Sequence, residues 1–177
     1  MSGFLALACF LRRTAVGAVC VAAIAVAAPA SASRDVLFPT SKYPAGTIVV
    51  KTGQRHLYLS LGSGRAVRYS VGVGRPGKKW AGTTYIRGKH LRPAWSPPAE
   101  IRRDNPRLPD VIPGGVPQNP MGAAALTLGY GQYAIHGTNR PGSIGGHVSY
   151  GCIRMYNDEV LDLYSRVRVG TQVVVLP

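Results

Sequence analysis

Short β-branched runs recur along this chain while only one segment carries a helical repeat, and that contrast narrows the fold more than any other feature. Residues 47–51, 56–60 and 66–73 are β-branched or alternate apolar with polar, and Gln54, Gly62 and Gly64 fall where turns belong. Further strands are expected over 83–87, 124–128, 132–136 and 172–176. The helix is expected near the C-terminus. Asn157 suits an N-cap, Asp158 and Glu159 complement the positive end of a helix dipole, and Val160, Leu161, Tyr164 and Val167 recur at helical spacing before Gly170 ends the segment. The expectation is a mainly β fold, a sandwich or partly closed barrel with one clear accessory helix near the C-terminus.

Between residues 93 and 120 the chain changes character, because eight of its 14 prolines fall there without a repeat. A loop of that length inside a compact domain is uncommon and is often a lid or binding loop. Trp95, Pro97 and Pro98 are candidates to line a groove, and a stiff connection covering a sheet edge is the alternative. Proline limits how far such a loop could move.

Arg12 and Arg13 precede an uncharged run at 14–28 rich in Ala and Val, Pro29 breaks it, and Ala30-Ser31-Ala32 forms an A-x-A cleavage signature. Residues 1–32 therefore read as a signal peptide, with 33–46 as a short lead-in and 47–177 as one domain. The run falls short of the roughly 20 apolar residues of a spanning helix, so no permanent membrane anchor is expected. Export to a periplasm or cell wall is the implied destination. The formal charge is +14, and +12 once Arg12 and Arg13 are removed. Nucleic acid is not the expected partner, since the basic residues are scattered and no RNP-type signature accompanies them. Outside the inner membrane such a surface is attracted to peptidoglycan carboxylates and lipid phosphates, or serves solubility alone.

Removal of 1–32 would also remove Cys9 and Cys20, leaving Cys152 as a lone thiol in an exported chain. It lies in the segment 136–155, HGTNRPGSIGGHVSYGCIRM. A free thiol supplies little thiolate near neutral pH unless a base or a dipole intervenes. His136 closes an expected strand, and a glycine-rich excursion over 137–146 would let Cys152 return to face it. A tight turn at Gly151 would let the N–H groups of Tyr150, Gly151 and Cys152 converge as oxyanion donors. Nucleophile, base and oxyanion donors together suit acyl transfer.

These residues resemble the L,D-transpeptidase catalytic domain of bacterial cell-wall enzymes, whose signature is a histidine followed by S-x-G-C-[IV]-[RN]. His136-Gly137-Thr138-Asn139 and Ser143-Ile144-Gly145 resemble its first block, and Ser149-x-Gly151-Cys152-Ile153-Arg154-Met155-x-Asn157 its second. Gln54, Leu57, the stretch Asn119-Pro120-Met121-Gly122 and the closing Gly170-Thr171 extend the likeness from about Thr47 to the C-terminus. The resemblance implies an L,D-transpeptidase-like domain in which Cys152 attacks the L-to-D bond of a diamino acid in a tetrapeptide stem and releases D-alanine. The acyl-enzyme would pass to an amine of another stem, to a lysine of an envelope protein, or to water as in an L,D-carboxypeptidase. His136 would be base and then acid, and the carbonyl of Gly137 would orient it. On the substrate side, Arg154 would bind a stem carboxylate bidentately, and Ser149 would help order the loop. Tyr150 stands where many members have histidine, so only its backbone N–H is assigned a role.

No cofactor and no metal is expected. A zinc site from His136, His147 and Cys152 matches no standard zinc spacing. A papain-like peptidase would place cysteine before histidine, the reverse of this order. A non-catalytic peptidoglycan-binding module would make no use of the Cys, His and Gly set.

Overall fold

The computed structural model describes residues 34–38 and 42–177. The expected signal peptide lies outside the described residues. The strands are β1 (Arg34–Leu37), β2 (Ile48–Lys51), β3 (His56–Gly62), β4 (Arg65–Ser70), β5 (Val73–Gly74), β6 (Gly82–Leu91), β7 (Ala124–Leu128), β8 (Ala134–His136), β9 (His147–Ser149), β10 (Ile153–Arg154) and β11 (Gln172–Leu176). Helix α1 (Ala99–Asp104) lies between β6 and β7, and helix α2 (Asn157–Arg166) between β10 and β11. No helix among the described residues is long and apolar enough to cross a membrane.

The fold is mainly β with one clear helix near the C-terminus, as the sequence pattern implies. The main sheet runs β1-β4-β3-β2-β11-β6-β7-β8-β10, with β5 and β9 forming a separate parallel pair. Its terminal strands do not pair with each other among the described residues, so the sheet is not closed into a barrel. Strand β6 serves two partners: its first part pairs with β11 and its second with β7. The register shifts between Ile86 and Gly88, and an irregularity of this kind bends a strand.

Alternation along the strands decides which layer each residue enters. Ile48, Val50, Leu57 and Leu59 join the main core, whereas Val49 and Tyr58 meet Phe38 and Ala66 on the opposite face. Full burial of an aliphatic side chain of this size contributes about 1.5–3 kcal/mol, and a one-residue slip would exchange the two sets. From α2, Val160 and Leu163 also enter the main core.

Several boundaries differ from the sequence expectation for identifiable reasons. Residues 33–46, expected as a lead-in, contain the edge strand β1, whose mostly exposed side chains give no alternating signal. The expected strand at 66–73 is interrupted after Ser70, where Gly72 instead forms a bridge with Arg154. Helix α2 starts at Asn157 with Tyr156 as its N-cap residue, and it stops at Arg166 rather than near Gly170. There Lys89 Nζ from β6 donates to the carbonyls of Tyr164 and Val167 at 2.7 and 2.6 Å. A cation at the negative end of the helix satisfies carbonyls that have no partner within it.

Candidate active site

Two short parallel strands carry the chemistry. Ile153 of β10 lies opposite Ile135 of β8, and Arg154 lies opposite His136. Ile135 and Ile153 are buried in the main core. Since side chains alternate across a strand, the neighbours Ala134, His136, Cys152 and Arg154 face the other way, and all four line one groove. The groove has a volume of about 1010 Å³. Trp95, Pro97 and Pro98 from the proline-rich segment line it too, as that segment's composition implies.

His136 is 4% exposed, and its Nδ1 donates to the carbonyl of Gly137 at 2.6 Å. That bond leaves Nε2 as the nitrogen with a free lone pair. Burial, assisted by the nearby Arg154 cation, lowers the imidazole pKa to about 4, while the carbonyls of Gly137 and Pro120 partly oppose the shift. The ring is therefore neutral near pH 7 and able to accept a proton. Burial pushes the Cys152 thiol up; a backbone hydrogen bond at Ala134 and the Arg154 charge pull it the other way. Both shifts favour the uncharged forms, a thiol and a neutral imidazole lining the same groove.

Gly137 is required by close approach, because a Cβ there would collide with Asn157 Oδ1 and press on the Ala123 nitrogen. Asn157 is not the N-cap that its position suggests. Its Oδ1 accepts the N–H groups of Ala123 and Thr138, each at 3.0 Å, and its Nδ2 donates to the Thr138 carbonyl at 3.0 Å. The side chain thus ties α2 to both chain segments that flank the histidine-orienting carbonyl. Asn119 has a similar function in the proline-rich segment, where its Nδ2 donates to Pro93 and Pro113, each at 2.9 Å, and its Oδ1 accepts from Met121 at 2.8 Å.

The turn before Cys152 is held from several sides. Gly151 has φ of 119°, and a Cβ there would collide with the Tyr133 ring. Its carbonyl accepts from Trp80 Nε1 at 2.9 Å. Ser149, expected on the substrate side, is 1% exposed, and its hydroxyl serves the turn itself. Oγ donates to the Cys152 carbonyl at 2.6 Å and accepts the Gly151 N–H at 3.1 Å. The Gly151 N–H, expected among the oxyanion donors, thus points to the Ser149 hydroxyl within the turn. Among the described residues no protein acceptor takes the N–H of Tyr150 or Cys152.

Arg154 is partly buried, and no carboxylate among the described residues forms an ion pair with it. Its Nη1 lies 3.5 Å from Ser143 Oγ, and its Nε is buried without a protein partner. The Tyr150 side chain makes contacts of its own beside the backbone N–H to which the sequence assigns a role. Its hydroxyl donates to Asp104 at the end of α1, and the Arg75 guanidinium lies 3.9 Å from its ring centre. His147 sits on β9 beside Val73, and no cluster of three metal-ligating side chains forms among the described residues.

Asn157, Trp80, Tyr133 and Asp104 are site residues that the sequence alone does not single out for these functions. Only Asn157 carried a signal, as the last residue of the second motif block.

The model of the L,D-transpeptidase catalytic domain matches residues 45–175. The probable L,D-transpeptidase YbiS of Escherichia coli is 38% identical over 136 residues, covering 72% of this chain and 43% of that protein. The probable L,D-transpeptidase ErfK/SrfK of Salmonella typhimurium is 37% identical over 139 residues, covering 74% and 44%. The chain thus spans less than half the length of these curated relatives. Among solved structures, an L,D-transpeptidase from Mycobacterium smegmatis has the same fold, with a TM-score of 0.59, 20% identity and coverage of 74% and 58%. So does the catalytic domain of an Enterococcus faecium L,D-transpeptidase acylated by ertapenem, with a TM-score of 0.56, 19% identity and coverage of 73% and 95%. With that match over most of its length, and with a cysteine just before β10 and a histidine at the end of β8 lining one groove, the chain belongs to the L,D-transpeptidase catalytic-domain family.

Proposed function

We propose that this domain is a peptidoglycan L,D-transpeptidase acting by acyl transfer through Cys152. The observation that carries this reading is the groove floor shared by Cys152, His136 and Arg154, with a neutral imidazole whose Nδ1 is already committed to Gly137. A stem peptide enters with the carbonyl of its diamino acid over the thiol. His136 Nε2 takes the thiol proton as Sγ attacks that carbonyl, and the N–H groups of Tyr150 and Cys152 stabilise the oxyanion. As the intermediate collapses, the imidazolium protonates the departing amine of D-alanine and a thioester remains. An incoming amine then gives a proton to His136 as it attacks the thioester, and the imidazolium passes that proton to the departing sulfur, which restores the thiol and the neutral imidazole. The acceptor is a second stem or an envelope-protein lysine; water in its place gives L,D-carboxypeptidase action.

Arg154 lacks an acidic partner among the described residues and binds a substrate carboxylate, an interaction that planar guanidinium geometry favours. The basic surface suits an anionic wall polymer, and the N-terminal segment suits export to the periplasm or cell wall. Intact-protein mass spectrometry after incubation with a carbapenem tests the reading. A single adduct is expected, absent in Cys152→Ala. A folded wild-type protein that forms no adduct would refute acyl transfer and favour a wall-binding module.

A further inference from the structure

One wall of the groove is fastened by charge rather than by packing. Helix α1 buries no residue, yet its Ala99 and Ile101 line the groove that holds Cys152. Two polar ties hold it against the body of the domain. At its C-terminal end, Asp104 Oδ2 accepts from the Tyr150 hydroxyl and, at 3.0 Å, from Arg75 Nη2. Arg75 completes a triangle by lying over the Tyr150 ring. At its N-terminal end, Glu100 pairs with Lys78. Arg75 and Lys78 belong to a single turn, closed by a 2.9 Å bond from the Lys78 N–H to the Arg75 carbonyl, so both ties converge on one anchor.

The anchor reaches the nucleophile as well. The Arg75 N–H donates to the Ser149 carbonyl at 2.9 Å, and Trp80, just beyond the turn, donates to the Gly151 carbonyl. Tyr150 lies between those two residues, two positions before Cys152. Prolines at 97 and 98 precede α1, and prolines at 106 and 109 follow it, which stiffens both of its connections. The helix is thus tied through Tyr150 to the turn that precedes Cys152.

We infer that Asp104, with Arg75 and through the Tyr150 side chain, is a positioning residue that latches α1 to the nucleophile turn and fixes the groove width over Cys152. The consequence for reaction rate rests on the acyl-transfer reading; the latch itself does not. Tyr150 and Arg75 keep the Asp104 carboxyl below its ordinary range, so it is charged wherever the domain works near neutral pH. A large acyl donor must touch both the thiol and the α1 wall, whereas a small alkylating reagent needs only the thiol. Loosening the latch separates the two.

The test compares the wild-type chain with Asp104→Ala, Asp104→Asn, Tyr150→Phe and the double variant Asp104→Ala/Tyr150→Phe. Rates of Cys152 acylation by a carbapenem and alkylation by iodoacetamide are followed by intact mass, and amide hydrogen exchange is followed across 99–105. Asp104→Ala and Tyr150→Phe are each expected to slow carbapenem acylation about tenfold, and the double variant no more than either alone, the mark of one shared interaction. Asp104→Asn keeps an acceptor oxygen for the Tyr150 hydroxyl but loses the charge that pairs with Arg75, and its rate should fall between those of the wild type and Asp104→Ala. Iodoacetamide alkylation should change less than about twofold, and exchange in α1 should rise in Asp104→Ala. Unchanged α1 exchange in Asp104→Ala overturns the latch, as do additive losses in the double variant. A parallel fall in alkylation also overturns it, by placing the defect in the thiol itself. Failure of the wild type to form any adduct, with α1 exchange still responding, would overturn acyl transfer and leave the latch standing.

Discussion

The floor of the groove and its α1 wall are held by opposite means. On the floor, β8 and β10 each place an isoleucine in the core and a chemical group in the groove, so His136 and Cys152 inherit the rigidity of the packed interior. The wall has no buried residue and depends on ion pairs whose side chains remain about one-third to two-fifths exposed. Exposed pairs of that kind hold weakly, because solvent screens the charges. The contrast teaches a division of labour: reacting atoms need placement to a fraction of an ångström, whereas the wall has only to admit and then flank a substrate.

Breaking the floor should therefore produce the largest losses. Cys152→Ser should leave no thioester adduct. His136→Ala should slow acylation by about 100-fold to 10,000-fold, the range for a general base. Both should remain folded by circular dichroism, and near-normal acylation in either would refute the assignment.

A second way to probe the floor is acid. His136 has a folded pKa of about 4 against an ordinary value of 6.5, so between those pH values the unfolded chain binds the extra proton and the folded one does not. Stability from this group is thus complete above pH 6.5 and declines as the pH falls towards 4, by at most about 3 kcal/mol. Urea denaturation across that interval should reveal the slope, and His136→Gln should flatten it. An equal slope in the variant would mean that other groups cause it.

The strongest elements of the fold were legible from their apolar patterns, an alternation in β3 and β4 and short, nearly continuous apolar runs in β7 and β11. Strands β9 and β10 have three and two residues, too few to establish a period, and they exist because the glycine-rich excursion returns beside β5 and β8. Helix α1 was illegible for the reason that makes it a latch: with nothing buried, it has no apolar stripe to read. In the site, Cys152 and His136 were legible from their chemistry. Asp104 and Tyr150 were not, because their contact spans 46 positions and depends on how the proline-rich segment folds back. Asn157 was noticed and misassigned, since an N-cap and a brace across two loops ask for the same amide.

Asn157 lies between floor and wall in expected effect. Asn157→Ala removes three hydrogen bonds, but the residue is exposed and water can replace part of what is lost. A loss of about 1–2 kcal/mol in urea denaturation is expected. Slower acylation should accompany it, because the chain around Gly137 would no longer be held. A stability loss with an unchanged acylation rate would show that the Gly137 carbonyl keeps its place without the brace.

The smallest effect should come from the wall residue that is not part of the latch. Arg102 follows the groove-lining Ile101 in α1 and pairs with Asp110 of the same proline-rich segment, with the two side chains 39% and 91% exposed. That pair closes the segment on itself and touches neither the anchor turn nor Tyr150. Arg102→Ala should cost less than about 1 kcal/mol and leave carbapenem acylation within about twofold of wild type. Asp104 lies two positions away with comparable exposure, so comparing the two variants holds helix and exposure nearly constant while the partner and the sign of the lost charge change. A loss in Arg102→Ala as large as that in Asp104→Ala would mean that the wall acts through its overall order, and the distinct function given to Tyr150 would have to be withdrawn.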